Sequence, residues 1–405
     1  MNLPSASNDA VPSPDDLKRK LGQTVASDQF SAEAFHTSSA ETAAAVQPAS
    51  DAAPVLSGPS LIDRLHARAQ PGVAAAEERF QVRNLLGTGA TARVYAVVDR
   101  DLKREVAVKI LDQSDPQDID HFLEEAQIAA SLEHPNVLPV HDIDVNASGQ
   151  VYFTMKRIEG QSLGGELASS SRDERSPRIR SFNAVVSIFI GVAHAVAFAH
   201  HRGIVHQDIK PDNIMLGGFG EILLVDWGSA TRLDDAAPRL YGTPLYMSPE
   251  QARMERADRL SDIYCLGSTL FHALTLRFPT WSDDAEEFWR KKRSGTIDAP
   301  TAAERAAIPA PLLAIALKAI EPAAASRYAT IESFIEDLAH YQAGLAVSAH
   351  RDTLRERWAR WYRMHRRGLW GGLAVGVVIV ALVALLYGER LKEIATWGEP
   401  VVEQT

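Results

Sequence analysis

The sequence predicts an α+β fold that carries one further, membrane-spanning helix. Three observations support this. Between Phe80 and Met155, short runs rich in β-branched and aromatic residues alternate with glycine and polar turns, the pattern of strands. From Phe182 onward the apolar stretches are longer and read as buried helices. Leu369 to Tyr387 then runs without a single charge.

Composition narrows the field. The chain has 405 residues, enough for one large or two ordinary domains, and a hydrophobic fraction of 46% that is normal for a globular protein. A net charge of −10 gives no hint of nucleic-acid binding. One cysteine, Cys265, excludes an intramolecular disulfide and a multi-cysteine zinc site, and its apolar setting reads as a buried structural thiol. Met1-Asn2-Leu3-Pro4-Ser5 has neither a basic start nor an apolar core, so no secretory signal is expected.

The chemistry concentrates in His206-Gln207-Asp208-Ile209-Lys210-Pro211-Asp212-Asn213. A carboxylate, an ammonium group and a carboxamide fall close together, and Pro211 limits helix between them. A strand over Glu221–Val225 follows and ends in Asp226-Trp227-Gly228, a second carboxylate beside a glycine turn. This set suits phosphoryl transfer: one carboxylate to accept a hydroxyl proton, a lysine to offset phosphoryl charge, an amide and a second carboxylate to hold a metal ion. The stretch resembles the catalytic loop of protein kinases, and Asp226-Trp227-Gly228 resembles that family's metal-binding triplet with Trp for the usual Phe. The resemblance implies a bilobal protein-kinase fold, a small β-rich lobe before a larger helical one, over about residues 78–345. It makes Asp208, Lys210 and Asn213 the catalytic set, and Asn213 and Asp226 the metal ligands.

In chain order, residues 1–77 are rich in Ala, Ser, Asp and Pro and are expected to be disordered, with a transient helix over Ser60–Arg68. Leu85-Leu86-Gly87-Thr88-Gly89-Ala90-Thr91-Ala92-Arg93-Val94-Tyr95 reads as strand, glycine turn, strand. It resembles the kinase glycine-rich loop, with Ala92 in place of a third glycine. Val106-Ala107-Val108-Lys109-Ile110 resembles the strand whose lysine grips the ATP phosphates. That lysine needs a glutamate on the next helix. There Phe122, Ala126 and Ala129 share a face, Glu125 lies beside it, and Glu124 is the alternative. After a strand at Val151–Met155, Lys156–Gly160 resembles the hinge between lobes. Met155 would be the gatekeeper, and backbone groups of Lys156 and Ile158 would meet the adenine edge. Leu86, Gly87, Gly89, Val94, Ala107, Lys109, Glu125, Met155, Lys156 and Ile158 form the ATP-binding set that the resemblance implies.

Ala168–Ser181 reads as a solvated polar insert and Phe182–His201 as an apolar helix. Gly242–Glu250 resembles the substrate-positioning segment, with Ser248 for the usual Ala. Asp262 is either a helix cap or, as in kinases, an acceptor for the catalytic-loop backbone. Arg327 matches the arginine that pairs with Glu250. A packed series of Val140, Ala129, Trp227 and His206 is implied, in which small Ala129 compensates for large Trp227. Lys210 and Thr243 match the serine/threonine branch, and the whole looks most like the bacterial eukaryotic-like kinases. The position before Asp208, often Arg in kinases, is Gln207, which cannot make a charge-assisted contact with phosphate. The loop from Gly228 to Tyr241 offers only Ser229, Thr231 and Tyr241 as acceptors, beside Asp234 and Asp235. Arg232 and Arg239 are the nearest basic substitutes. Activation-loop phosphorylation is therefore not expected to control activity.

Arginines 351, 355, 357, 360, 363, 366 and 367, with Trp358, Trp361 and Tyr362, make residues 346–368 a basic juxtamembrane segment. The apolar run 369–387, at ~1.5 Å per residue, matches a bilayer core of ~30 Å. The arginines put the preceding domain in the cytoplasm and residues 388–405 outside. ATP, Mg2+ (with Mn2+ as an alternative), protein substrates bearing Ser or Thr, and membrane lipid are the partners expected, with a homodimer as a further assembly and no nucleic acid. Two rivals remain: a membrane-tethered pseudokinase scaffold, and a small-molecule phosphotransferase of related fold.

Overall fold

The computed structural model describes residues 79–89, 91–112, 115–146, 148–171, 175–234 and 242–396. The expectations for residues 1–77 and 397–405, and for Ala90, Asp235, Arg239 and Tyr241, lie outside them.

The small lobe is a five-stranded antiparallel sheet: β1 (Phe80–Thr88), β2 (Ala92–Asp99), β3 (Arg104–Leu111), β4 (Val140–Val145) and β5 (Val151–Lys156), ordered β1-β2-β3-β5-β4. Its register pairs Val94 with Lys109 and Ala107 with Met155. Residues opposite one another and two apart share a face, so Val94, Ala107, Lys109 and Met155 all line one side of the sheet. Helix α1 (Pro116–Ser131) starts where Pro116 follows Asp115, whose side chain accepts the Gln117 N–H. It buries Phe122, Ala126, Ile128 and Ala129, and Phe122 meets Phe153 of β5 at 5.0 Å between ring centres.

After β6 (Gly160–Ser162) the large lobe begins with α2 (Leu163–Ala168) and α3 (Phe182–His201). Ser181 caps α3 by accepting the Ala184 N–H, and the helix is then apolar on nearly every face because it runs through the core. The described residues between α2 and α3 are mostly exposed or half-exposed, as a solvated insert would be, but two of them are tied to the core. Arg175 donates to the Ala273 and Leu274 carbonyls, and Ile179 in a 3-10 turn is buried. The arginine supplies donors to the last turn of a distant helix, a role no local pattern announces.

Strands β7 (Ile204–Val205), β8 (Ile214–Gly217), β9 (Ile222–Leu224) and β10 (Thr231–Arg232) frame the catalytic stretch. Helices α4 (Pro249–Ala252), α5 (Arg259–Thr275), α6 (Ala285–Ser294), α7 (Ala302–Ala307), α8 (Ala310–Ala319) and α9 (Ile331–Ala343) complete the lobe. Helix α5 is its central post. Asp258, not Asp262, caps it, through a reciprocal bond set with Ser261. At Gly267 a Cβ would fall 2.5 Å from that of Ala319, so only glycine lets α8 approach so closely. Among the described residues, two helices are long and apolar enough to cross a membrane. One is α3, half buried in the core; the other is the wholly exposed Gly368–Leu385.

That exposed stretch belongs to a second unit, a single helix α10 (Leu354–Thr396) of 43 residues. Its basic end is ordered by neighbours one turn apart: Trp358 stacks on Tyr362 and Trp361 on His365, while Arg360 reaches the carboxylate of Asp352.

Arg327, its side chain fully buried, donates to both oxygens of Glu250 at 2.7 and 2.9 Å. Burial alone would raise the Glu250 pKa. The bonds from Arg327 and Ser261 outweigh it and hold the carboxyl below its ordinary 4.5. The pair therefore stabilises the fold above that value and loses its contribution as pH falls through the lowered one. Glu250→Gln leaves a buried guanidinium without its counter-ion and is expected to cost about 3–5 kcal/mol in denaturant unfolding at pH 7. Its unfolding midpoint should also respond less to acidification below about pH 4.5 than the wild type's.

Candidate active site

The site assembles where β3, α1 and the stretch from β7 to β9 converge. Lys109 donates to Glu125 at 2.6 and 2.8 Å, which decides between the two glutamates: Glu125 faces the sheet from α1. Burial alone would lower the Lys109 pKa. The carboxylates of Glu125 and Asp226 outweigh it, so the net shift is upward and the ammonium is secure. Gly228 sits tight against this pair, since a Cβ there would lie 3.2 Å from the Glu125 carboxylate.

Asp208 is buried and has a donor at each oxygen. Oδ1 accepts the Thr243 N–H at 2.7 Å and the Thr243 hydroxyl at 2.8 Å. Oδ2 accepts from Lys210 at 2.7 Å and from the Asn213 amide at 3.3 Å. Burial works to raise the pKa, but Lys210 and Thr243 prevail and hold it below the usual aspartate value. Lys210 also donates to the Thr243 hydroxyl at 2.8 Å, so Asp208, Lys210 and Thr243 form one closed unit. Thr243 carried no site assignment in the sequence, where it served only as a marker of branch. Gly242 precedes it at φ 131°, with a would-be Cβ 3.0 Å from the Gln207 carbonyl, so glycine is required there.

The catalytic stretch hangs from α5. Asp262, fully buried, accepts the backbone N–H groups of His206 and Gln207 at 2.9 and 2.8 Å and bonds His200 at 2.8 Å. Gln207 stands at φ 67° and Asp226 at φ 63°, left-handed values that side-chain-bearing residues adopt at a cost. Gln207 also donates through its amide to the Thr231 hydroxyl at 2.5 Å, so Thr231 lies in β10 against the catalytic stretch. His206 and Trp227 lie 4.6 Å apart by ring centres. Ala129 and Trp227 share one buried cluster, with Val140 packed against it.

Asn213 spends its amide group on Asp208, donating to that residue's carbonyl at 2.9 Å, and its backbone carbonyl accepts the Val225 N–H just before Asp226. Its side-chain oxygen and the Asp226 carboxylate are hard oxygen donors of the kind Mg2+ selects. Donors of this chemistry suit a divalent metal. The hinge positions lie at the end of β5 and in the turn before β6. The Lys156 N–H is bonded to the Pro139 carbonyl and its ammonium to Glu221. Gly87 lies opposite Val94 at the end of β1, next to Leu86, and the Gly89 N–H closes the turn on the Ala92 carbonyl.

A protein kinase domain model matches residues 80–349. The chain belongs to the protein kinase family. Curated serine/threonine-protein kinases named PknD resemble it. That of Protochlamydia amoebophila is 30% identical over 67% of this chain and 31% of its own length, and that of Chlamydia felis 33% over 66% and 31%. That of Chlamydia abortus is 30% identical over 81% and 38%. The chain thus spans about a third of the length of these relatives. Members of the family use ATP and a divalent metal.

The geometry separates the two aspartates. Asp208→Asn keeps the shape and the Thr243 contact but removes the carboxylate charge that partners Lys210. Turnover should fall at least ~10²-fold with nucleotide affinity largely kept. Asp226→Asn should instead weaken metal-nucleotide binding, read by titration with a fluorescent ATP analogue. An Asp208→Asn protein as fast as wild type would refute the assignment.

Proposed function

We propose that this chain is a membrane-anchored serine/threonine protein kinase that transfers the γ-phosphoryl group of ATP to protein hydroxyls. The observation that carries this is the closed unit of Asp208, Lys210 and Thr243 beside Asn213 and the Lys109–Glu125 pair. Asp208 orients the acceptor hydroxyl and takes its proton late. Its depressed pKa suits a loose transition state, in which the nucleophile needs placement more than activation. Lys210 stabilises charge on the transferring group, and Lys109 positions the other phosphates. Asn213 and Asp226 would hold Mg2+, which supplies charge neutralisation between the phosphates. A scaffold would need none of these side chains to be engaged, and a small-molecule phosphotransferase would have no use for the Gly242–Glu250 segment. ATP turnover with a generic protein acceptor tests the reading; none from the purified full chain sinks it.

The exposed apolar stretch of α10 and its arginine-rich, aromatic flank support anchoring in a bilayer with the kinase domain on the cytoplasmic side. The chain should sediment with membranes. Alkaline phosphatase fused after Thr405 should be active and a fluorescent protein fused there dark. The reverse pattern contradicts the topology.

Regulation should not run through a phosphate on the loop after Trp227. Gln207 makes a neutral bond to Thr231, where a phosphate-reading arginine would otherwise stand. Phosphatase-treated protein, shown bare by mass spectrometry, is expected to keep its initial rate, and Gln207→Arg to leave it unchanged or lower it. A tenfold fall that recovers on rephosphorylation at Ser229 or Thr231 excludes this.

A further inference from the structure

One buried cation has no part in the site described so far. Lys292 lies in the last turn of α6, inside Lys291-Lys292-Arg293, a basic run at a helix end. The fold buries it almost completely, at 1% exposure. Lysines at such depth are nearly always paired with a carboxylate. Among the described residues Lys292 has none in ion-pair range. Its Nζ donates to the carbonyls of Leu245 and Met247 at 2.8 and 3.3 Å and lies 5.8 Å from the centre of the Tyr264 ring.

Those two carbonyls belong to the segment that the kinase reading assigns to substrate positioning. Its first residue, Thr243, is tied to Asp208 and Lys210. The N–H groups of Tyr246 and Met247 turn back to the Thr243 carbonyl at 2.9 and 3.1 Å. Between the two carbonyls, the Tyr246 hydroxyl bonds His272 of α5 at 2.8 Å. The stretch from Thr243 to Met247 is therefore tied to the catalytic stretch, α5 and α6. Asp208 holds the backbone at Thr243, and the α6 anchor grips it again at Leu245 and Met247, which fixes which way the chain turns before the cap of α4.

We propose that Lys292 is a positioning residue for the protein substrate: by holding the Leu245 and Met247 carbonyls inward, it shapes the surface on which the acceptor peptide docks. This rests on the serine/threonine kinase reading and adds to it a residue that no motif marks.

The geometry also couples peptide binding to protons. Burial pushes the Lys292 pKa down to about 7, whereas a lysine in water stays charged far above neutrality. The neutral amine still has two N–H donors for the two carbonyls. Seating the segment over Lys292 therefore releases a proton, and a group whose pKa falls on seating favours the seated state as pH rises. The titratable groups packed around it stay fixed near neutrality. Burial lowers His272 to about 4 and raises the Cys265 thiol and the Tyr246 and Tyr264 hydroxyls. Glu250, below its ordinary value, is an anion paired with Arg327, which lies 4.9 Å from the Tyr264 ring.

The test is steady-state kinetics on the full chain in detergent, with a histidine-free Ser/Thr peptide selected by turnover with the wild-type protein. Lys292→Met keeps most of the bulk and removes the nitrogen. It is expected to raise peptide KM at least ~10-fold while ATP KM stays within ~2-fold, a split that a general loss of folded protein would not give. In the wild type, peptide KM should fall between about pH 6 and pH 8, and in Lys292→Met it should be level. A variant with wild-type peptide KM overturns the proposal. Should the variant not fold, the wild-type profile decides: a peptide KM that is level or rises over that interval overturns it equally. A wild-type chain that turns over no ATP overturns the kinase reading, and this proposal with it.

Discussion

The rest of the site depends on one buried carboxylate. Asp262 stands in the middle of the large lobe with no exposure, and an unpaired charge at that depth would be prohibitive. It is tolerated because three donors converge on it: the N–H groups of His206 and Gln207, and His200 from α3. In return it fixes a backbone that would otherwise relax, since Gln207 occupies a left-handed conformation worth ~1–3 kcal/mol of strain. From that fixed point the order passes along the chain. Asp208 takes its place between Thr243 and Lys210, Asn213 braces Asp208, and the Asn213 carbonyl holds the chain that leads to Asp226. Rigid support of this kind is what a reaction governed by placement and electrostatics needs.

The ion pairs serve connection more than net stability. Lys109–Glu125 joins β3 to α1, Arg327–Glu250 joins the turn before α9 to α4, and Lys210–Asp208 closes the catalytic stretch on itself. Each takes charge out of water, so an apolar pair of the same volume could match it in stability. An apolar pair could not specify a single geometry through directed bonds. Lys292 differs from all three because its acceptors are carbonyl dipoles and not carboxylates. It ties α6 to the backbone of the Gly242–Glu250 segment, as the other three tie their elements through carboxylates.

What the sequence by itself determined is whatever is written in short spacing. The bounds of α3, the glycine turn between β1 and β2, the catalytic stretch and the uncharged run now within α10 were all legible, because each depends on residues a few positions apart. The pairing of Arg327 with Glu250 was legible through resemblance, across a gap that local pattern does not bridge. Tertiary structure alone decided the rest. The helical face favoured Glu125 over its neighbour Glu124, and the position of β3 settles the choice by bringing Lys109 to it. Asp262 and Asp258 both lie near the start of α5, and only the packing of the catalytic stretch shows which one caps and which one supports. Arg175 sits in a stretch whose composition placed it in solvent, and Lys292 sits in a basic run that drew no reading at all. The fold instead turns them onto carbonyls far away in the chain. Local spacing encodes helix, strand and turn through backbone geometry. It carries no record of which distant carbonyl a long flexible side chain will meet, and that is settled only when burial removes water as the competing partner.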